Sequence, residues 1–168
     1  MPLSPAFHSV MPLIHRSPCN LKSSISRPFP SMVVTPPRTK IRTVSPPQLN
    51  ELLKASQDTS SIIVLKCYAS YCHSCRGVEP KYRKIAAAYN DSCGNVHPVT
   101  VTFCQMNYAL NETFCKDILG AHSLPFFALW KDGEYLGGEA MGWQSINKKL
   151  VNKIDMAVRT QILSLRQS

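Results

Sequence analysis

Cys72-His73-Ser74-Cys75 stands between a β-branched apolar run, Ile62 to Leu65, and a helical pattern built on Val78, Tyr82, Ile85 and Tyr89. That junction constrains the fold more than any other stretch of the chain. The run from Ser61 to Tyr68 is apolar on both faces, which suits a parallel sheet with helices on either side. A strand that feeds a helix puts the first cysteine at a helix N-terminus, where free N–H groups and the macrodipole favour a thiolate. A lowered thiol pKa there is what disulfide exchange needs. The alternatives are a chance spacing or a metal site built from Cys72, Cys75, His73 or Cys67. Only one C-x-x-C exists, and His73 between its cysteines is badly placed to complete a tetrahedral site.

Charge separates this core from a leader. Arg16, Lys22, Arg27, Arg38, Lys40 and Arg42 all precede the first acid, Glu51, so the formal charge of +9 is mostly a property of the leader. Ten of the thirteen prolines fall before residue 48, a density that permits no long helix and little core. Serine- and arginine-rich, acid-free composition is that of an organelle transit peptide. The prolines oppose the amphipathic helix of a mitochondrial presequence, so a plastid (the chloroplast stroma) is expected, with the mitochondrion as the alternative. The longest apolar stretch there, Met11 to Ile14, is interrupted by Pro12 and too short for a secretory signal. No run reaches the ~20 apolar residues of a membrane span. No basic stripe interleaved with aromatics points to nucleic acid.

Residues 1–40 are therefore expected to be a leader and 41–168 a single domain. Without a secretory signal, the remaining cysteines among the seven read as free thiols. Cys67 and Cys104 fall on expected strands as inert core residues, Cys115 is expected to be more exposed, Cys93 has no pairing that sequence assigns, and Cys19 lies in the leader.

Ser45, Pro46 and Gln48 form a capping-box start to a first helix lined by Leu49, Leu52 and Leu53. The helix after the cysteines should run from Cys72 to Tyr89, kinked by Pro80, with a loop at 91–98. Val99, Val101 and Phe103 alternate with threonines as a second strand. Phe114 to Leu119 should form a short helix stopped by Gly120. Phe126 to Trp130 and Glu134 to Leu136 read as a hairpin turning at Asp132-Gly133. Gly142 and Trp143 are expected to open a last helix carried by Ile146, Leu150, Ile154 and Val158.

This order, with a C-x-x-C opening a helix and a hairpin entered through Pro125, resembles the thioredoxin family. Within it the chain is most similar to the atypical cysteine/histidine-rich thioredoxins of plastids, through Cys72-His73-Ser74-Cys75-Arg76 with Pro80-Lys81, Phe114-Cys115-Lys116 and Leu124-Pro125-Phe126-Phe127. The resemblance implies an α/β thioredoxin fold, a central mixed sheet flanked by helices on both faces. It implies a monomeric thiol-disulfide oxidoreductase in which Cys72 attacks and Cys75 resolves. Pro125 would be a cis-proline beside the cysteines that, with Leu124 and Tyr71, shapes the substrate site. No cofactor is implied. The implied partners are an upstream reductant and protein disulfides, two-cysteine peroxiredoxins among them. The rival class is a binding module on the same scaffold whose thiols are incidental.

Three departures from the family pattern bear on tuning. Tyr71 stands where a tryptophan is usual, and His73-Ser74 replaces Gly-Pro. A protonated His73 would stabilise the neighbouring thiolate. Lys66, on the same strand face as Ile62 and Val64, occupies the place of a buried aspartate. Either it snorkels to solvent, or it sits neutral and acts as a base, or it stays charged and favours thiolate.

Overall fold

The computed structural model describes residues 41–93 and 99–166. The leader with Cys19, residues 94–98 of the expected loop and the side chain of Cys93 lie outside the described residues. Strand β1 (Arg42–Thr43) leads into helix α1 (Pro46–Gln57), strand β2 (Ser61–Tyr68) and helix α2 (His73–Cys93). Strand β3 (Thr100–Asn107), a helical turn at Phe114–Ile118, strands β4 (Phe126–Lys131) and β5 (Glu134–Ala140) and helix α3 (Ile146–Leu165) follow. The sheet order is β1-β3-β2-β4-β5. β1 and β2 pair parallel with β3, while β4 runs antiparallel to β2 and β5 antiparallel to β4. This is the expected mixed sheet.

β2 is apolar on both faces because both faces are covered. Ile62 and Val64 join Val78 and Tyr82 of α2 and Ile154 of α3 in one core. Ile63, Leu65 and Cys67 join Leu49 of α1, Met106 and Cys115 in the other. Ile62 to Leu65 are 0–2% exposed, and burying each such side chain stabilises the fold by about 1.5–3 kcal/mol. The strand that carries the cysteines is thus anchored from both sides.

Local signals explain most element ends. Ser45 N donates to Gln48 Oε1 at 2.9 Å, and Leu49 N to Ser45 O at 2.9 Å, which starts α1 as its capping pattern predicts. Asp132 and Gly133 have φ of 51° and 81°, the positive pair that a two-residue hairpin favours.

Three expectations need correction, and one element is additional to them. β1 is two residues long and is held by pairing with Cys104 and Gln105. α2 extends to Cys93, through part of the expected loop, and passes Pro80, whose missing N–H leaves the Arg76 carbonyl without its usual helical donor. β5 runs to Ala140 rather than Leu136, because Gly138 lets the strand pass Phe126, which a Cβ there would meet at 2.3 Å. α3 starts at Ile146, with the Gly142 carbonyl accepting from Ser145 N and Ile146 N at 3.2 and 3.1 Å just before it.

Candidate active site

The passage from β2 to α2 defines the position of each cysteine. Cys72 N donates to Ala69 O at 3.1 Å, and Cys72 O accepts the first helical bond from Arg76 N at 3.3 Å. Cys72 is therefore the N-cap of α2 rather than a residue within it. Its Sγ accepts from Cys75 N at 3.1 Å, the place a serine or aspartate oxygen takes in an ordinary cap. Cys72 and Cys75 are joined by a disulfide, with Cα atoms 5.3 Å apart. Cys72 is half-buried and Cys75 only 4% exposed. An incoming sulfur can reach the first and not the second. A thiolate on Cys72 would keep a backbone N–H donor and the positive end of the helix dipole.

The sheet register brings Pro125 to the same place. Cys67 pairs with Phe126, so Pro125 lies at the end of the sheet from which the cysteine loop departs. The Leu124–Pro125 bond is cis; Pro125 is buried and Leu124 half-buried. The Pro125 carbonyl accepts from Met141 N at 3.1 Å, tying this corner to the end of β5. Tyr71 is 70% exposed and His73 is also exposed. Trp143 is exposed as well, with Lys81 Nζ 3.8 Å from its ring centre and donating to its carbonyl at 2.7 Å.

Lys66 does not snorkel. It is 1% exposed, and its ammonium pairs with Glu79 Oε2 on α2. The rings of Tyr82 and Tyr68 lie 5.1 and 5.3 Å from Nζ, within cation–π reach. Burial lowers the Lys66 pKa, and the hydrogen bond and charge of Glu79 pull it partly back. The pair lines a cavity of about 280 Å³ together with Tyr68, Cys75, Arg76 and Gln105. Sequence reasoning missed Glu79. The available signal was its spacing: it follows Cys75 by four residues, on the helix face that Cys75 and Tyr82 turn inward.

Among the described residues, Cys67, Cys104 and Cys115 are free and buried. Burial pushes the Cys104 thiol up to about 12. A hydrogen bond with Cys115, then burial, raises Cys67 further. Both fit inert core thiols. Cys115, expected to be more exposed, is fully buried. The turn at Phe114–Ile118 is wound wide, with Leu119 N donating to Phe114 O at 3.1 Å, and it directs the Cys115 sulfur inward, 3.7 Å from Met106 Sδ.

Comparison with known proteins agrees with this geometry. The thioredoxin family model matches residues 40–156. Thioredoxin AMT13 of Alternaria alternata is 28% identical over 90 residues, which cover 52% of this chain and 63% of that protein. The chain thus spans less than two thirds of that relative's length. Spinach chloroplast thioredoxin f aligns with a TM-score of 0.57 at 25% identity, over 71% of this chain and 94% of that one. Thioredoxin f2, solved in complex with ferredoxin:thioredoxin reductase, aligns with a TM-score of 0.57 at 19% identity, over 71% and 96% of the two chains. That last likeness concerns the fold alone.

Proposed function

The chain belongs to the thioredoxin family, with the family model matching residues 40–156, and from that membership we propose that it is a thiol-disulfide oxidoreductase acting on protein disulfides. In the reduced protein, the Cys72 thiolate attacks one sulfur of a target disulfide. A mixed disulfide forms and the target's other sulfur leaves as a thiolate. Cys75 then attacks Cys72, the Cys72–Cys75 disulfide closes, and the target departs with two electrons gained. The reverse sequence oxidises a target; the difference in potentials sets the direction. The cysteines themselves carry the electrons.

One observation carries this reading: a Cys72–Cys75 disulfide whose outer sulfur caps α2 and accepts the Cys75 N–H at 3.1 Å. Tyr71 and Leu124 flank the approach, and the target backbone passes along Pro125. The domain is 41–168, and the leader before it addresses the protein to the plastid stroma. The acid-free composition of that leader and the likeness to spinach chloroplast thioredoxin f support this location. The upstream reductant is then of the ferredoxin:thioredoxin reductase class, the partner of thioredoxin f2 in its solved complex. Two-cysteine peroxiredoxins are among the targets.

The test is insulin reduction by dithiothreitol, followed as turbidity. The wild-type protein should accelerate it, and Cys72→Ser should abolish the acceleration. Equal rates for the two proteins would refute the assignment.

A further inference from the structure

Closing the Cys72–Cys75 ring requires a Cys75 thiolate, yet Cys75 is only 4% exposed, and a buried thiol resists ionisation. A base must therefore reach it from within the protein. The cavity of about 280 Å³ beside Cys75 is lined by Lys66, Tyr68, Arg76, Glu79 and Gln105 among others. Lys66 is engaged in the ion pair with Glu79, Arg76 is a cation, Tyr68 is a phenol and Gln105 does not titrate. Glu79 is the lining group whose ordinary form at neutral pH accepts a proton. It stands one helical turn after Cys75. Its Oε2 meets Lys66 and its Oε1 accepts from Arg83 Nε at 2.7 Å. Its side chain is 26% exposed, which gives a captured proton a route to solvent.

We propose that Glu79 is the base that takes the Cys75 proton in the resolving step, with Lys66 as its fixed counter-charge. The proposal rests on the exchange reading above. The proton passes from Cys75 Sγ to the Glu79 carboxylate, and the negative charge passes from carboxylate to sulfur. Lys66 stays positive beside both, so the net charge of the cavity does not change and no unpaired charge is created in a low-dielectric site. The thiolate then attacks Cys72 of the mixed disulfide. The Cys75–Cys72 bond forms, the bond from Cys72 to the target breaks, and the target sulfur leaves with the electron pair. Glu79 returns its proton to solvent. The target disulfide is the sole oxidant in the cycle. The carboxylate is paired with Lys66 from β2 and Arg83 from α2. It shares its cavity with Tyr68 from β2, Arg76 from α2 and the neutral Gln105 from β3, and acts electrostatically on Tyr82 of α2. Lys66, already paired with the carboxylate, stabilises the thiolate after the step.

Reduced protein mixed with 5,5′-dithiobis(2-nitrobenzoate) in a stopped-flow instrument separates the two steps. The first release of thionitrobenzoate reports Cys72 attack, and the second reports resolution by Cys75. In Glu79→Gln the ratio of second to first rate should fall at least about tenfold at neutral pH, the low side of what a general base contributes. That second rate should then climb about tenfold per pH unit as hydroxide takes over, and Glu79→Asp should recover part of the loss. The double variant Lys66→Met with Glu79→Gln leaves no unpaired buried ammonium, and should show the same slow, pH-dependent second phase. A wild-type ratio and pH profile in either variant carrying Glu79→Gln overturns the proposal. Absence of the first release in the wild-type protein would instead overturn the exchange reading.

Discussion

Breaking the Lys66–Glu79 pair from its two ends should cost unequal amounts, because the ends are unequally buried. The Lys66 side chain is 2% exposed and the Glu79 side chain 26%. Glu79→Gln strands an ammonium with little solvent. Removing one partner of a buried pair costs about 3–5 kcal/mol. The two tyrosine rings and the new amide oxygen offset roughly 1–2 kcal/mol of this, which leaves about 2 kcal/mol of destabilisation. Lys66→Met removes the buried charge at similar volume. Glu79 then keeps Arg83 at 2.7 Å and its access to water, so stability should change by less than about 1 kcal/mol in either direction. With a urea slope of about 2 kcal/mol per molar, the two midpoints should differ by roughly 1 M. Tryptophan fluorescence of the oxidised proteins at neutral pH measures this. Equal midpoints, or a lower midpoint for Lys66→Met, would refute the burial argument. The sign of the pH dependence is also set. The folded-state Lys66 pKa is lowered from 10.5, so the unfolded chain binds that proton more tightly. Relative to Lys66→Met, wild-type stability should therefore rise as pH climbs through the window between the lowered value and 10.5, since the buried thiols titrate alike in both proteins.

Alkylation of the reduced protein at about pH 6 should label Cys72 before Cys75, since Cys72 alone combines exposure with the helix cap; mass mapping that finds Cys75 labelled first would reverse their roles. A protonated His73 at the start of α2 would favour the thiolate form, which places the expected redox potential between about −270 and −180 mV. His73→Gly with Ser74→Pro should make it more reducing, and an unchanged or higher value against a glutathione buffer would remove His73-Ser74 as the tuning element. A chain beginning at Ile41 should unfold cooperatively and reduce insulin as the full chain does; loss of the cooperative transition would give the leader a structural role.

Features set by local chemistry were legible in the sequence. The unbroken apolar run of β2 implied a strand covered on both faces, Ser45 with Gln48 implied the start of α1, and Asp132-Gly133 implied the hairpin. Features set by tertiary contact were not. Arg42–Thr43 has no strand signal of its own and is ordered by pairing with β3. Cys115 turns inward because its helical turn is wound wide, which no residue pattern at Phe114–Ile118 announces. Lys66 was recognisable as an anomaly on a buried strand, but its partner lies thirteen residues away on another element. Glu79 reads locally as a surface acid paired with Arg83 four residues on. Only the packing of α2 against β2 turns it toward Lys66 and Cys75.

The most direct test of the exchange chemistry is to trap its intermediate. Reduced Cys75→Ser protein, incubated with a disulfide-bonded peptide and analysed by intact mass and peptide mapping, should carry one peptide in a stable mixed disulfide on Cys72. The wild-type protein under the same conditions should release the reduced peptide and end as the Cys72–Cys75 disulfide. An adduct on another cysteine, or no adduct while the wild-type protein still reduces the peptide, would contradict the account.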